Sequence, residues 1–161
     1  MVTLRALAPS DIPVIKAWPA YPDEFLDLDY ALRDGGWLDT YGARADTRIL
    51  VAESDGCLVG FSILTDNEGE SAEFRIALHP SRIGTGFGKN LALLTLASGF
   101  SCPDTLRIQL IVRKNNPRAR RLYERIGFAP AGECSKEIAG RSVGFYRMEI
   151  ERDRFYEVNQ K

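Results

Sequence analysis

Hydrophobic and polar positions change their period several times along this chain, and each change predicts an element. Val2 to Leu7 alternates as a strand. Ser10 and Asp11 then offer an N-cap and a first-turn negative charge for a helix through Ile12, Ile15 and Trp18, ended by Pro19 and Pro22. Phe25, Leu28 and Leu32 recur at helical spacing, which predicts a second helix over Asp23 to Asp34, stopped by Gly35-Gly36. Trp37 to Ala43 follows neither period. Arg48 to Ala52 and Leu58 to Thr65 read as strands joined by a turn at Ser54-Asp55-Gly56. A polar turn from Asp66 to Glu70 leads to a third strand, Ala72 to Leu78. Its period of two puts Phe74, Ile76 and Leu78 on one face and Glu73, Arg75 and Ala77 on the other.

Past Pro80 the pattern gives a glycine-rich run, then good helix formers from Lys89 to Phe100, a turn at Ser101 to Asp104 and a strand from Leu106 to Val112. Pro117 suits a first helical turn. Ala119, Leu122, Tyr123 and Ile126 carry a buried stripe up to Gly127 as the C-terminal stop. Gly132 to Ile150 reads as two strands turning at Ala139-Gly140. The order is strand, two helices, three strands, helix, strand, helix and two strands, without a repeat or a low-complexity linker. That order predicts a mixed α/β sheet covered by helices.

Composition narrows the function classes. A chain of 161 residues, 45% hydrophobic, suits one domain. Its 21 Lys plus Arg against 22 Asp plus Glu leave no broad positive field for nucleic acid or an anionic membrane. Cys57, Cys102 and Cys134 are far apart, odd in number and in no CxxC pair, so neither a disulfide framework nor a zinc or other metal site is predicted. A reducing cytoplasm fits that usage. The apolar stretch Leu91 to Phe100 is far shorter than the ~20 residues of a membrane span. The first residues, MVTLRALAPSD, lack a signal peptide's basic start and apolar middle, so the chain is expected to be soluble and unprocessed.

The segment Ser81 to Asn90, SRIGTGFGKN, carries the candidate chemistry. Gly84, Gly86 and Gly88 alternate between the end of a strand and the start of a helix, where backbone N–H groups lack intrahelical partners. Missing side chains let an anion approach those amides, and the helix dipole adds partial positive charge there. Lys89 can supplement it. A nucleotide P-loop would need Gly at Ile83 and Ser or Thr at Asn90, and a dinucleotide fingerprint would need a third glycine at Lys89; both patterns fail. A tight strand-to-helix turn without a ligand is the competing reading.

Together, this loop and the later NNPRARRLYERIGF resemble the GNAT (GCN-related) N-acetyltransferase superfamily, whose pattern is a strand, [QR]xxGxG, a helix and NxxAxxLYxxxGF. The likeness extends to LRALAPSD and to the element order, while Asp11 to Ala43 matches only in type. It implies a single domain over residues 1–161, with a mostly antiparallel sheet of about seven strands flanked by about four helices. It also implies acetyl-CoA as the acyl donor. Carried over, the pyrophosphate-binding amides fall on Gly84, Thr85, Gly86, Phe87, Gly88 and Lys89, and the pantetheine arm pairs with the backbone of Ile76, Ala77 and Leu78, the acyl group lying beside Leu78. The motif asparagine is Asn116, with Arg118 and Ala119 following it in the cofactor-facing turn, and the motif tyrosine is Tyr123. The motif's leading Gln or Arg falls on Ile83, with Arg82 one place earlier and able to serve only from a shifted loop.

Acyl transfer from a thioester to an amine needs a neutral amine, a polarised carbonyl and a proton for the departing thiolate. A phenol with pKa about 10 can donate to a thiolate whose acid has pKa about 8.5, and the resemblance makes Tyr123 that acid. Otherwise it is a core aromatic with a wet hydroxyl. Glu73 is the preferred base. Its rival is His79, the only histidine, which stands before Pro80 and can instead pack or cap there. Glu73 can also pair with Arg75 or a neighbouring strand's cation. A water relay is a third route. In this superfamily the acceptor pocket comes from the helices after the first strand, and here that region holds Trp18, Tyr21, Asp23, Glu24, Asp27, Asp29, Tyr30, Asp34 and Trp37. Tyr21, Glu24, Tyr30 and Trp37 are the candidate acceptor contacts, since carboxylates with aromatics suit a cationic amine. Acidic residues opening a solvated helix explain Asp23 and Glu24 equally well.

The expectation is an acetyl-CoA-dependent N-acetyltransferase, monomer or homodimer, acting by direct transfer on a primary amine of a small molecule or a protein N-terminus. Nucleic acid and membranes are not expected partners. A non-catalytic acyl-CoA sensor and an NTP-dependent transferase are the alternatives.

Overall fold

The computed structural model describes residues 2–159. Seven strands form one sheet in the order β1-β2-β3-β4-β5-β7-β6. They are β1 (Val2–Ala6), β2 (Thr47–Ser54), β3 (Cys57–Asn67), β4 (Ser71–Leu78), β5 (Arg107–Arg113), β6 (Ala129–Ile138) and β7 (Arg141–Glu151). The pairs β1–β2, β2–β3, β5–β7 and β6–β7 are antiparallel, and β4 runs parallel to β5. Five α-helices accompany them: α1 (Asp11–Lys16), α2 (Trp37–Tyr41), α3 (Phe87–Phe100), α4 (Pro117–Ile126) and α5 (Arg152–Asn159). The mixed, mostly antiparallel seven-stranded class is the one expected. The α-helix count is one higher than expected among the described residues: α2 and α5 were not anticipated, and the expected helix after Pro22 is of the 3₁₀ type. Two compact units partition the described residues: 2–66 with 75–97, and 67–74 with 98–159.

In the first unit, the β2–β3 hairpin turns at Asp55 and Gly56, both at positive φ, as a two-residue turn matched to strand twist demands. Its main core joins Ile15, Trp18, Tyr21, Leu32, Leu38, Val51, Phe61, Ile63 and Ala77. A smaller cluster of Ala52, Val59 and Leu91 takes in Ile76, Leu78 and Phe87. Both faces of β4 past Phe74 are therefore covered, Ala77 by one cluster and Ile76 with Leu78 by the other. Thr95 is buried in α3 with its polarity satisfied, its hydroxyl donating to the Leu91 carbonyl at 2.8 Å and lying 2.7 Å from Ser62 Oγ.

Local chemistry differs from expectation at two places here. Ser10 makes no side-chain cap; the Asp11 carboxylate accepts the Ala8 N–H at 2.7 Å and bonds from the two terminal Arg5 guanidinium nitrogens at 2.8 and 2.9 Å. The segment Asp23–Leu32 is a 3₁₀ helix. Its entry bond, Phe25 N–H to the Pro22 carbonyl at 2.8 Å, already spans three residues. Asp29 also directs its carboxylate to the Tyr21 N–H and the Arg33 guanidinium, bonds that compete with a regular helix.

In the second unit, Ile108, Leu110, Met148 and Ile150 are buried from β5 and β7, with Ile126 of α4. β6, the sequence APAGECSKEI, is largely exposed and carries Pro130, a bulge at Pro130/Gly132 and several charges, the makings of an edge strand. More apolar β7 lies between β5 and β6. The turn between them falls at Ala139-Gly140, as expected. The unanticipated α5 docks through one buried ring, Phe155, 5.4 Å from Phe100. Asn159 ties its end to the Ile126 carbonyl at 2.8 Å. Arg152 donates to the carbonyl of Phe100, the last residue of α3, and to those of Cys102 and Pro103 beyond it.

Candidate active site

The glycine run is set by a short relay of backbone bonds at the end of β4. The His79 N–H donates to the Val59 carbonyl of β3 at 2.9 Å, and the His79 carbonyl accepts the Arg82 N–H at 2.8 Å, closing a 3₁₀ turn over Pro80–Arg82. The Arg82 carbonyl in turn accepts the Thr85 N–H at 3.3 Å and its hydroxyl at 2.5 Å. Gly84 and Gly86 have φ of 78° and 90°, a region where a Cβ is strained. Around Gly86 there is nothing within 4 Å of a would-be Cβ, so the requirement for glycine is conformational and the space above it is open. The first backbone bond of α3 is Asn90 N–H to the Gly86 carbonyl, at 3.3 Å. The amides of Phe87, Gly88 and Lys89 precede it in the first turn, where no earlier helical carbonyl serves them. Gly84, Thr85, Gly86 and Lys89 are exposed, and Phe87 and Gly88 half-buried.

Ile83 and Arg82 divide inside from outside. Ile83 packs on the core around Trp18. That burial accounts for an apolar residue at the position where the motif carries Gln or Arg. Arg82 lies with its guanidinium carbon 4.7 Å from the Phe87 ring centroid, a cation–π contact at the start of α3.

At the end of β4, Tyr21 donates its hydroxyl to the Leu78 carbonyl at 2.7 Å. Tyr21 is buried, and that burial, with the Asp29 charge, pushes its phenol up. His79 adopts the capping role: Nδ1 accepts the Ser81 N–H at 3.1 Å and lies 2.8 Å from Ser81 Oγ. The ring stands edge-on to Trp18, centroids 5.1 Å apart. Burial first, and the Arg82 charge second, hold the imidazole below its usual range.

The expected acceptor residues separate into two groups. Tyr21 and Trp37 belong to the core, Trp37 edge-on to Phe61 at 6.4 Å. Glu24 and Tyr30 are exposed on the 3₁₀ helix, with Asp23 and Asp27. Asp29 and Asp34 are engaged. Asp29 forms a two-pronged pair with Arg33, both bonds 2.8 Å, while Lys16 reaches Asp34 at 3.0 Å and Asp39 at 2.8 Å. Arg33 also donates to the Lys16 and Trp18 carbonyls at 2.9 and 2.7 Å, binding the end of α1 to the 3₁₀ helix. Arg33 was not among the expected site residues, although its spacing of four from Asp29 signals the pair.

In the second unit, Asn116 caps α4, its side-chain oxygen accepting the Ala119 N–H at 3.2 Å. Arg118 is exposed and Ala119 half-buried. Tyr123 lies between two rings, 6.1 Å from Phe74 and 5.6 Å from Phe128, both edge-on. Burial alone pushes its phenol up, so the hydroxyl stays protonated through the neutral range. Since Tyr123 packs on Phe74, the adjacent Glu73 projects from the opposite face of β4. There Glu73 lines a pocket of about 100 Å³ with Gln109, Ile111, Ala131, Arg147 and Glu149. Among the described residues no helix is long and apolar enough to cross a membrane.

Comparison with known proteins places these features in a wider group. Residues 14–128 match the family model described as the acetyltransferase (GNAT) family. Spermidine N(1)-acetyltransferase of Vibrio cholerae is 32% identical over 115 residues, which are 69% of this chain and 66% of that protein. The Escherichia coli K12 enzyme of the same name is 33% identical over 93 residues, 56% of this chain and 50% of its own length. The chain thus aligns with about two thirds of one curated relative and half of the other. A crystal structure of the V. cholerae spermidine N-acetyltransferase in complex with CoA and spermine superposes with a TM-score of 0.76 at 27% identity, covering 96% of this chain and 97% of that one.

Proposed function

Because the chain belongs to the acetyltransferase (GNAT) family, we propose that it transfers the acetyl group of acetyl-CoA directly to a primary amine of a small polyamine. The observation that carries this reading is the loop from Gly84 to Lys89. Two glycines at positive φ open onto unserved amides at the start of a 14-residue helix. That arrangement fits a pyrophosphate, whose charge those N–H groups and the helix dipole favour. The neighbouring Lys89 is exposed and adds a cation.

When bound, acetyl-CoA supplies a reactive thioester and a thiolate leaving group. The protein's residues hold, orient and move protons. The loop amides hold the phosphates, and the backbone of Ile76, Ala77 and Leu78 carries the pantetheine arm. Tyr123, neutral through the working pH range, offers the proton from its Oη. Because Glu73 projects from the face of β4 opposite the one on which Tyr123 packs, it does not share a reacting centre with that phenol, and a water relay takes the amine's proton. Asn116 contributes through the turn it caps, with Arg118 and Ala119 beside it. Glu24 and Tyr30 offer an acidic, aromatic surface to a cationic amine. The 161 residues work as one N-acetyltransferase domain.

A polyamine acceptor is favoured by the spermidine N(1)-acetyltransferases among the relatives. The test is thiol release from acetyl-CoA with spermidine, spermine, amino acids, aminoglycosides and N-terminal peptides. Polyamines are expected to give the highest kcat/KM. Release no faster than the amine-free background across the panel would reject catalysis, and a preference for peptides would reject the acceptor class.

A further inference from the structure

The acetyltransferase reading leaves His79 without a chemical task, yet this side chain holds the first bend of the loop. Its N–H is tied to the Val59 carbonyl and its carbonyl to the Arg82 N–H, so its backbone is anchored to β3 on one side and to the turn on the other. Its ring is fixed edge-on against buried Trp18, leaving Nδ1 directed at Ser81. The Ser81 N–H needs a lone pair, so Nδ1 is unprotonated and the ring's proton is on Nε2.

We propose that His79 is a positioning residue for the acetyl-CoA loop, whose unprotonated Nδ1 sets the turn from which Gly84 to Lys89 present their amides, and whose protonation loosens cofactor binding. The proposal rests on the acetyltransferase reading of that loop. The Ser81 N–H donates to His79 Nδ1, the Arg82 N–H to the His79 carbonyl and the Thr85 N–H to the Arg82 carbonyl; Gly86, next in the chain and at positive φ, accepts the Asn90 N–H of the first turn of α3. A proton on Nδ1 replaces the acceptor with a donor facing the Ser81 N–H. The turn then keeps at most the Ser81 hydroxyl as partner, and the relay starts from a displaced residue.

The surroundings of the ring favour the neutral state near neutral pH. From the segment after α1 comes the apolar ring of Trp18, from β3 the Val59 carbonyl, and from the turn the Arg82 cation. Desolvation and that cation both oppose a second positive charge. Release is therefore expected below the ordinary histidine range of about 6.5.

The test is titration of the protein with coenzyme A by calorimetry from pH 8 down to pH 5, alongside steady-state KM for acetyl-CoA. His79→Asn keeps an acceptor for the Ser81 N–H and cannot titrate; His79→Phe keeps a ring against Trp18 and has no acceptor. The ligand's own phosphate titrates near pH 6, so the readout is the difference between wild type and His79→Asn. The wild type is expected to lose about tenfold more affinity than His79→Asn over that range, one bond to a capping group being worth about that factor. His79→Phe should bind about tenfold more weakly at every pH while keeping kcat at saturating acetyl-CoA. Parallel pH curves for wild type and His79→Asn would overturn the proposal while leaving the acetyltransferase reading intact. No binding of coenzyme A to the wild type at any pH would overturn both. Should His79→Phe fail to fold, the comparison with His79→Asn still decides.

Discussion

The Tyr21 hydroxyl and the Leu78 carbonyl are joined by a 2.7 Å hydrogen bond that fastens the segment after α1 to the last residue of β4. The superfamily resemblance made Tyr21 a candidate acceptor contact; its ring is in the core and its hydroxyl bonds the Leu78 carbonyl. Tyr21→Phe keeps the packing and removes the donor. It should destabilise the fold by about 1 kcal/mol, read as a shift in the denaturant midpoint. Because the strand end it fixes is the proposed acyl position, kcat should fall as well. Unchanged stability and unchanged kcat would mean the bond does not position the strand.

Tyr123 makes the opposite case. Its hydroxyl has no hydrogen bond within the described residues, while its ring is held by Phe74 and Phe128. Tyr123→Phe should leave the melting temperature and coenzyme A affinity close to wild type and lower kcat by about 10²-fold or more, the usual range for a lost general acid. A kcat equal to the wild type's would remove Tyr123 from the mechanism.

Gly86 separates backbone conformation from steric clash. Its φ of 90° is strained for any residue with a Cβ, yet the space around it is open. Gly86→Ala should therefore cost about 1–2 kcal/mol or shift the loop out of that conformation. Either outcome raises KM for acetyl-CoA with little change in KM for the amine. Equal effects on both constants would argue that the loop serves something other than the cofactor.

Asp11 provides a dependence on pH. Its carboxylate accepts two bonds from Arg5 and one from the Ala8 N–H, and the Arg5 bonds foremost hold it below the usual carboxylate range. The sign follows from the depressed value. The contribution is full above the unfolded carboxylate's pKa of about 3.9 and disappears as pH falls through the folded value. Asp11→Asn should lower the melting temperature at pH 7 and flatten its fall in acid. A wild-type slope retained in the variant would place the acid-sensitive group elsewhere.

How far the chain could be read from its residues tracks how local the causes are. Asn116, Pro117 and Gly127 delimit α4 within their own turns, and structure and pattern agree there. The turns at Asp55-Gly56 and Ala139-Gly140 are equally self-contained. The 3₁₀ form of Asp23–Leu32 was not legible, because it reflects Asp29 reaching to Tyr21 and Arg33 rather than the apolar stripe. Nor was α5, whose short stretch Arg152–Asn159 has one buried side chain and docks on a ring far back in the sequence.

The candidate site divides along the same line. Loop and α4 residues were named from their order alone, since glycines before a helix and a capped helix carrying a tyrosine are statements about neighbouring residues. The sequence by itself determined the mixed α/β class, the family likeness and the loop's suitability for an anion. Only the tertiary structure decided that Ile83 turns into the core, that His79 caps Ser81 against Trp18, that Tyr21 holds Leu78 across 57 residues, and that Tyr123 of α4 packs on Phe74 while Glu73 projects from the opposite face of β4. The physical reason is that burial and hydrogen-bond partnership depend on which distant segments meet. A single strand or turn carries the chemical groups, but the partner that occupies or frees each of them arrives only when the sheet and its helices close.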